Sequence, residues 1–317
     1  KGGQSSSLET YWDKEKEGEN KLVLIKFLKV NKSNIQNELW LNQHNFKGID
    51  KISKIIDYDT ENKVPEWFSY EYRNLTTKDN NYNNLEEYIN RNEDLTLDER
   101  LDLCQEFLSI FNELHNKAKV VHLDIQPSNI LIYEQNDKKI LELTDFLSSK
   151  IQDHTDSPTI SSEEKRKNLE SNIEVVKSSY TKDPVEKYDR KLHGFTFDVS
   201  NASRVLSFIL TGRNSDLENN EFKKILSSFK FKKISTQLID DIYKIYLKGT
   251  DKDYRKRYKD GTELELEFKN CLKKNKEEYS KLRKKKIRKI LSYVAGSVFL
   301  PTIMVFAIVS FLSGESG

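Results

Sequence analysis

Two short stretches of the chain hold the residue types from which a phosphoryl-transfer site can be built. Val121–Leu131, VHLDIQPSNIL, carries Asp124 and, five residues on, Asn129, and Leu141–Leu147, LELTDFL, carries Asp145 after a strand-like run. One carboxylate can take up a hydroxyl proton, the role given to Asp124. The amide oxygen of Asn129 and the carboxylate of Asp145 are hard donors, suited to Mg²⁺ held against phosphate oxygens. A cation is the remaining requirement, and Lys26 lies inside LVLIKFL, a run otherwise apolar. A charge in such a strand is expensive unless something pairs with it.

The elements that must position these groups are legible from periodicity and breakers. Leu8–Lys14 and Lys21–Val30 read as strands around a charged turn, followed by a helix over Asn34–Leu41. Ile49–Asp59 and Trp67–Tyr72 read as two more strands, Thr76–Asn84 as a polar loop and Leu85–Asn90 as a short helix. Thr96–Asn116 has helical apolar spacing at Leu97, Leu101, Cys104, Phe107, Leu108, Phe111 and Leu114, with Asp98 and Glu99 in its first turn. Phe195–Gly212, Gln237–Leu247 and Thr262–Ser280 read as further helices, with a loop and short helix over Gly212–Lys233. No internal repeat is present.

Taken together these residues resemble the eukaryotic-type protein kinase family, whose catalytic loop reads H-x-D-x-x-x-x-N and whose metal-binding turn reads D-F-G. The resemblance implies an α+β, bilobal protein-kinase-like fold over residues 1–275. A small β-rich lobe (1–70) is joined by a hinge (71–73) to a large helical lobe (74–275), with ATP in the cleft. It implies that Gly2 and Gly3, with Ser5–Ser7, form the loop over the nucleotide phosphates. Lys26 then meets the α- and β-phosphates and pairs with Glu38 when the helix of the small lobe swings in. Leu24 and Leu131 sandwich adenine, the Glu71 carbonyl and Arg73 amide bind its edge, and Tyr70 takes the gatekeeper position. His122 becomes a packed support for the metal-binding turn, not a base. Asp198 opens the central helix of the large lobe, and Glu186 pairs with Arg257, or failing that with Arg255. The chain departs from the pattern at Leu123, where many kinases carry Arg, at Gln126, where Ser/Thr kinases carry Lys, and at Leu147, where the turn has Gly. Without that Arg, a phosphate on Thr155, Ser157, Thr159, Ser161 or Ser162 has no such grip, so activation in that way is not expected.

The bulk numbers agree with a well-solvated enzyme that is anchored at one end. The chain has 317 residues with Lys+Arg 53 against Asp+Glu 51, so its charge offers nucleic acid no field. Mean hydropathy is -0.74. Cys104 and Cys271 form no metal or disulfide pattern, which fits a reducing compartment. One stretch breaks the polar average: Ile290–Leu312 is 23 residues without a charge. As a helix it would reach roughly 35 Å, against about 30 Å for a bilayer core, and Pro301 is tolerated there. Residues 276–289 form a basic juxtamembrane segment, with seven basic residues in the nine of Lys281–Lys289, which reads as the cytoplasmic side and as a contact for anionic lipid. The expectation is a single-pass tail anchor with a cytoplasmic kinase domain that phosphorylates a protein substrate, leaning to Ser/Thr, at a membrane surface. Two alternatives share these residues: a membrane-anchored pseudokinase scaffold, and a small-molecule phosphotransferase of the aminoglycoside or choline kinase type.

Overall fold

A computed structural model of the chain describes residues 7–13, 21–27, 32–71, 75–76, 81–136, 138–151, 194–214, 216–229 and 236–278, with a few further positions as far as 288. The protein is a mixture of helices and small sheets. Four antiparallel strands, β1 (Ser7–Asp13), β2 (Lys21–Phe27), β3 (Ile55–Tyr58) and β4 (Trp67–Glu71), lie in the order β1-β2-β4-β3. Opposed residues of antiparallel strands share a face. The register sets Leu24 against Tyr70 and Lys26 against Phe68, so these four side chains face the same way. Lys26 is therefore on an interior strand, not an edge.

Helix α1 (Lys32–His44) runs longer than its apolar spacing suggests. Its Ile35 packs with Phe68, Tyr70 and Leu147 in a small core of its own. The stripe is thin, and asparagine side chains do much of the fastening. Asn37 Nδ2 donates to the Ser149 carbonyl at 2.6 Å and Asn45 Nδ2 to the Ala118 carbonyl at 2.8 Å. Asn42 donates to the Ser53 carbonyl and accepts from the Ile55 N–H, both at 3.1 Å. After α1 the chain turns at Gly48, whose φ of +80° is the left-handed conformation glycine adopts without cost. The strand anticipated over Ile49–Asp59 starts only at Ile55 because Ile49 and Ile52 are drawn into the larger core. That segment is tied to a different strand instead: the Ser53 N–H donates to the Leu143 carbonyl at 2.9 Å, and the Leu143 N–H to the Lys51 carbonyl at 3.0 Å.

The larger core is mainly helical. Helix α2 (Leu85–Arg91) is capped by Asn84, and α3 (Leu97–Glu113) opens on a complete capping box between Thr96 and Glu99. Helix α3 ends in a π-turn, Leu114–Ala118. Helix α4 (Phe195–Thr211) is buried on almost every side and ends at Gly212, in the left-handed region at φ +68°. Helices α5 (Asn219–Ser228), α6 (Thr236–Gly249) and α7 (261–278) surround it. Fully buried Phe107, Phe111, Phe208, Phe222 and Phe268 fill the space between them, each contributing about 1.5–3 kcal/mol by leaving water. Gly249 allows α6 to touch α4, since a Cβ there would fall on the Ser203 hydroxyl, and Gly261 meets the Phe111 carbonyl, 2.7 Å from where its Cβ would be.

Three two-stranded ribbons complete the structure: β5 (Leu75–Thr76) with β6 (Asn81–Tyr82), β7 (Val120–Val121) with β10 (Lys150–Ile151), and β8 (Ile130–Gln135) with β9 (Lys138–Leu143). Among the described residues no helix is long and apolar enough to cross a membrane. The stretch 290–312 lies outside the described residues, as do Gly2, Gly3, Arg73 and the segment 152–193, which includes Glu186.

Candidate active site

Two antiparallel pairings bring the chemical residues together. In the β8–β9 hairpin Ile130 pairs with Leu143, which sets Asn129 against Thr144 at its open end, one residue before Asp145. The Thr144 N–H donates to the Asn129 carbonyl at 3.0 Å there. In the second ribbon Val121 pairs with Lys150, so the loop carrying Asp124 lies against the segment that follows Asp145.

A buried carboxylate sets the shape of that loop. Asp198, fully buried on α4, accepts from the backbone N–H groups of His122 at 2.6 Å and Leu123 at 2.9 Å. His115 Nε2 approaches the same carboxylate at 3.2 Å, and its Nδ1 accepts from the Gly261 N–H at 3.0 Å. The second bond places the ring proton on Nε2, so a neutral His115 donates to Asp198. Leu123 is held at φ +66° and Asp145 at φ +67°. Left-handed backbone is unfavourable for a leucine and persists where surrounding bonds over-determine it. His122 is occupied at both ring nitrogens: Nε2 lies 3.0 Å from the Thr144 carbonyl, and Nδ1 accepts from the Asp124 N–H at 3.3 Å. It holds two backbone segments together and has no nitrogen left for a substrate.

Asp124 is presented asymmetrically. Its Oδ2 accepts from Gln126 Nε2 and from Asn129 Nδ2, each at 3.0 Å, while its Oδ1 is buried with no hydrogen-bond partner. Burial, then the nearby Asp145 charge, push the Asp124 carboxyl above the usual aspartate range, and His122, Asn129 and Gln126 offset only part of this. Lys26, 6% exposed, reaches Asp145 Oδ1 at 2.9 Å and Glu38 Oε2 at 3.8 Å. Burial opposes its charge, but Asp145 and Glu38 outweigh that and raise its pKa. For Asp145 burial is again the largest influence, yet the Lys26 charge and hydrogen bond hold its carboxyl low. Glu38 goes up, because burial outweighs its more distant share of the ammonium.

Lys26, Glu38, Asp124, Asn129 and Asp145 thus stand in one connected cluster. Leu24 lies two residues before Lys26 on the same face of β2, and Leu131 two residues after Asn129 on β8; both are half-buried, as is Glu71 at the end of β4. Arg257 is buried, with Nε donating to the Asp251 carbonyl at 2.6 Å and Nη1 to the Thr196 carbonyl at 3.3 Å. Arg255 pairs with Asp253 in its own turn, at 2.8 Å.

No protein-family model and no curated protein matches the chain. The chemistry of the site therefore rests on its own geometry. Among the described residues no three His, Cys, Asp or Glu side chains converge as a metal centre. Asp145 and Asn129 offer two hard oxygens instead. Mg²⁺ commonly takes one or two carboxylates from a protein and the rest of its shell from water and phosphates, so the donor set fits a metal that arrives with a nucleotide. Sequence reasoning missed the Gln126 donor, the His115–Asp198 link and the tie between Ser149 and α1. It also missed the bond from the Tyr70 hydroxyl to Glu38, since the resemblance gave Tyr70 only the gatekeeper position.

Proposed function

We propose that the protein is an ATP-dependent protein kinase of the eukaryotic type, transferring the terminal phosphoryl group to a hydroxyl of a protein substrate, with a lean to Ser/Thr. The observation that carries this reading is Asp124: one oxygen is fixed by two amide donors, the other has no hydrogen-bond partner, and the charges of Lys26 and Asp145 act on it. A carboxylate so placed accepts the hydroxyl proton as the oxygen attacks phosphorus. The Lys26 ammonium neutralises phosphate oxygens, and Glu38 steadies it from α1. Bound Mg²⁺ would supply further neutralisation of phosphate charge, with Asp145 and Asn129 as its protein ligands. Asp198, through the His122 and Leu123 amides, fixes the direction in which Asp124 points. Preorganisation of this kind removes reorganisation from the reacting step.

We further propose that residues 290–312 anchor the enzyme in a membrane with residues 281–289 on the cytoplasmic face, which confines it to substrates at that surface. Recovery of the intact chain in the soluble fraction of a flotation gradient refutes the anchor.

A second reading, a nucleotide-binding scaffold that performs no transfer, draws on Leu147. This residue stands where the metal-binding turn of kinases has Gly, and it packs against Ile35, Phe68 and Tyr70. Incubation with γ-labelled ATP separates the two readings. Label is expected on protein hydroxyls with the wild type and is lost with Asp124→Asn, Lys26→Ala and Asp145→Asn. Equal labelling by wild type and Asp124→Asn would sink the kinase reading. Nucleotide-dependent thermal stabilisation without any label would leave the scaffold.

A further inference from the structure

Tyr70 stands near the end of β4, 6% exposed, with its ring packed beside Ile35 and Leu147 and edge-on to Phe68 at 6.5 Å. Its hydroxyl donates to Glu38 Oε1 at 2.9 Å, and the Phe146 N–H donates to the same oxygen at 3.3 Å. The other oxygen of Glu38 accepts no hydrogen bond and has Lys26 at 3.8 Å, while Lys26 is closer to Asp145, at 2.9 Å. One ammonium is therefore divided between two carboxylates, and the nearer one holds it. A buried carboxylate left with a partial ion pair is unfavourable unless neutral donors complete its shell. Two donors supply part of that shell here, both on Oε1, one from β4 and one from the turn after Asp145. The packed phenol has no room to follow a side chain that moves away, so it marks one position for the Glu38 carboxylate.

We infer that Tyr70 is a positioning residue for phosphoryl transfer, its hydroxyl holding Glu38 toward Lys26 so that the ammonium keeps an anion beside it when Asp145 engages a metal ion. This role rests on the kinase reading and adds to it a requirement for a hydroxyl at position 70, where bulk alone does not suffice. At 3.8 Å Glu38 is the weaker of the two partners of Lys26. Tyr70 and Phe146 fix its Oε1 and so keep Oε2 turned to the ammonium.

The test is a double-mutant cycle of wild type, Tyr70→Phe, Glu38→Ala and the double variant, read in two ways. On the protein without nucleotide, the urea midpoint should fall for Tyr70→Phe, and the same change should leave the midpoint unmoved in the Glu38→Ala background. With Mg-ATP, Tyr70→Phe should lower kcat about tenfold, the scale of one hydrogen bond to a charged group, with ATP affinity held within about threefold. An unchanged kcat in Tyr70→Phe overturns the inference. So does an equal fall in the midpoint with and without Glu38, since the phenol would then act through packing alone. No transfer by the wild type would overturn the reaction itself and this role with it, whereas a coupled urea midpoint would still show the hydroxyl gripping Glu38.

Discussion

Replacing Asp198 with Asn preserves the outline of the side chain and removes its charge. In the structure the carboxylate has no exposure and accepts from three donors: the His122 and Leu123 N–H groups and His115 Nε2. An amide oxygen can keep one or two of these, as weaker neutral bonds. The loss of charge assistance is worth about 1.5–3 kcal/mol, and the new NH2 group faces a donor, leaving one buried group unpaired for about 1–3 kcal/mol more. Together the cost is about 2.5–6 kcal/mol, a large part of the roughly 5–15 kcal/mol by which a domain is held folded. Urea unfolding at pH 7, followed by circular dichroism, measures it directly. Activity should fall further than stability, because the left-handed Leu123 is free to relax once its N–H is released, and Asp124 then loses its aim. Transfer assays in the cold, where the variant remains folded, separate the two effects. A loss below about 1 kcal/mol would refute the reasoning, since it would mean that the carboxylate is not the charged acceptor of these bonds.

Gly249→Ala should cost about 1–3 kcal/mol through overpacking, because the new methyl falls on Ser203, 2.7 Å from its Cβ; adding Ser203→Gly should restore part of the thermal midpoint. Asp241 supplies a pH test: burial raises its carboxyl, but hydrogen bonds from Lys274, Gln237 and Lys244 outweigh this and hold it low. Its stabilising contribution is thus complete above the unfolded pKa and fades as pH falls through the folded one, so Asp241→Asn should lose up to about 1 kcal/mol at pH 7 and approach wild type only as the pH drops below the usual aspartate range, in urea titrations across that interval.

What the sequence reveals of this molecule follows the range of each physical signal. The capping box at Thr96 and the apolar stripe of α3 act within a few residues, so that helix is legible almost to its ends. The same holds for α4, whose Gly212 marks its end. Asp124, Asn129 and Asp145 could be singled out because a β-hairpin brings their two segments together from nearby positions. The strand expected over Ile49–Asp59 begins only at Ile55, because burial in the helical core and pairing in a sheet both select isoleucine. Which of them claims Ile49 and Ile52 depends on β9, some ninety residues away. The Tyr70–Glu38 bond joins residues 32 apart and leaves no periodic trace. Left-handed Leu123 and Asp145 are invisible for a related reason: their local preference is overruled by Asp198 and by the hairpin, not expressed.

The asparagines of α1 have a mechanical consequence. A helix with so thin an apolar stripe would ordinarily fray on its own, well before the rest of the molecule. Two amides on the helix, Asn37 and Asn42, and a third just past its end, Asn45, instead stitch it to Ser149, to the Ser53–Ile55 strand entry and to the π-turn at Ala118. Loosening it means undoing all of these seams at once, so its backbone amides should exchange with solvent on the clock of the helical core, and the glutamate it carries has little freedom to come and go.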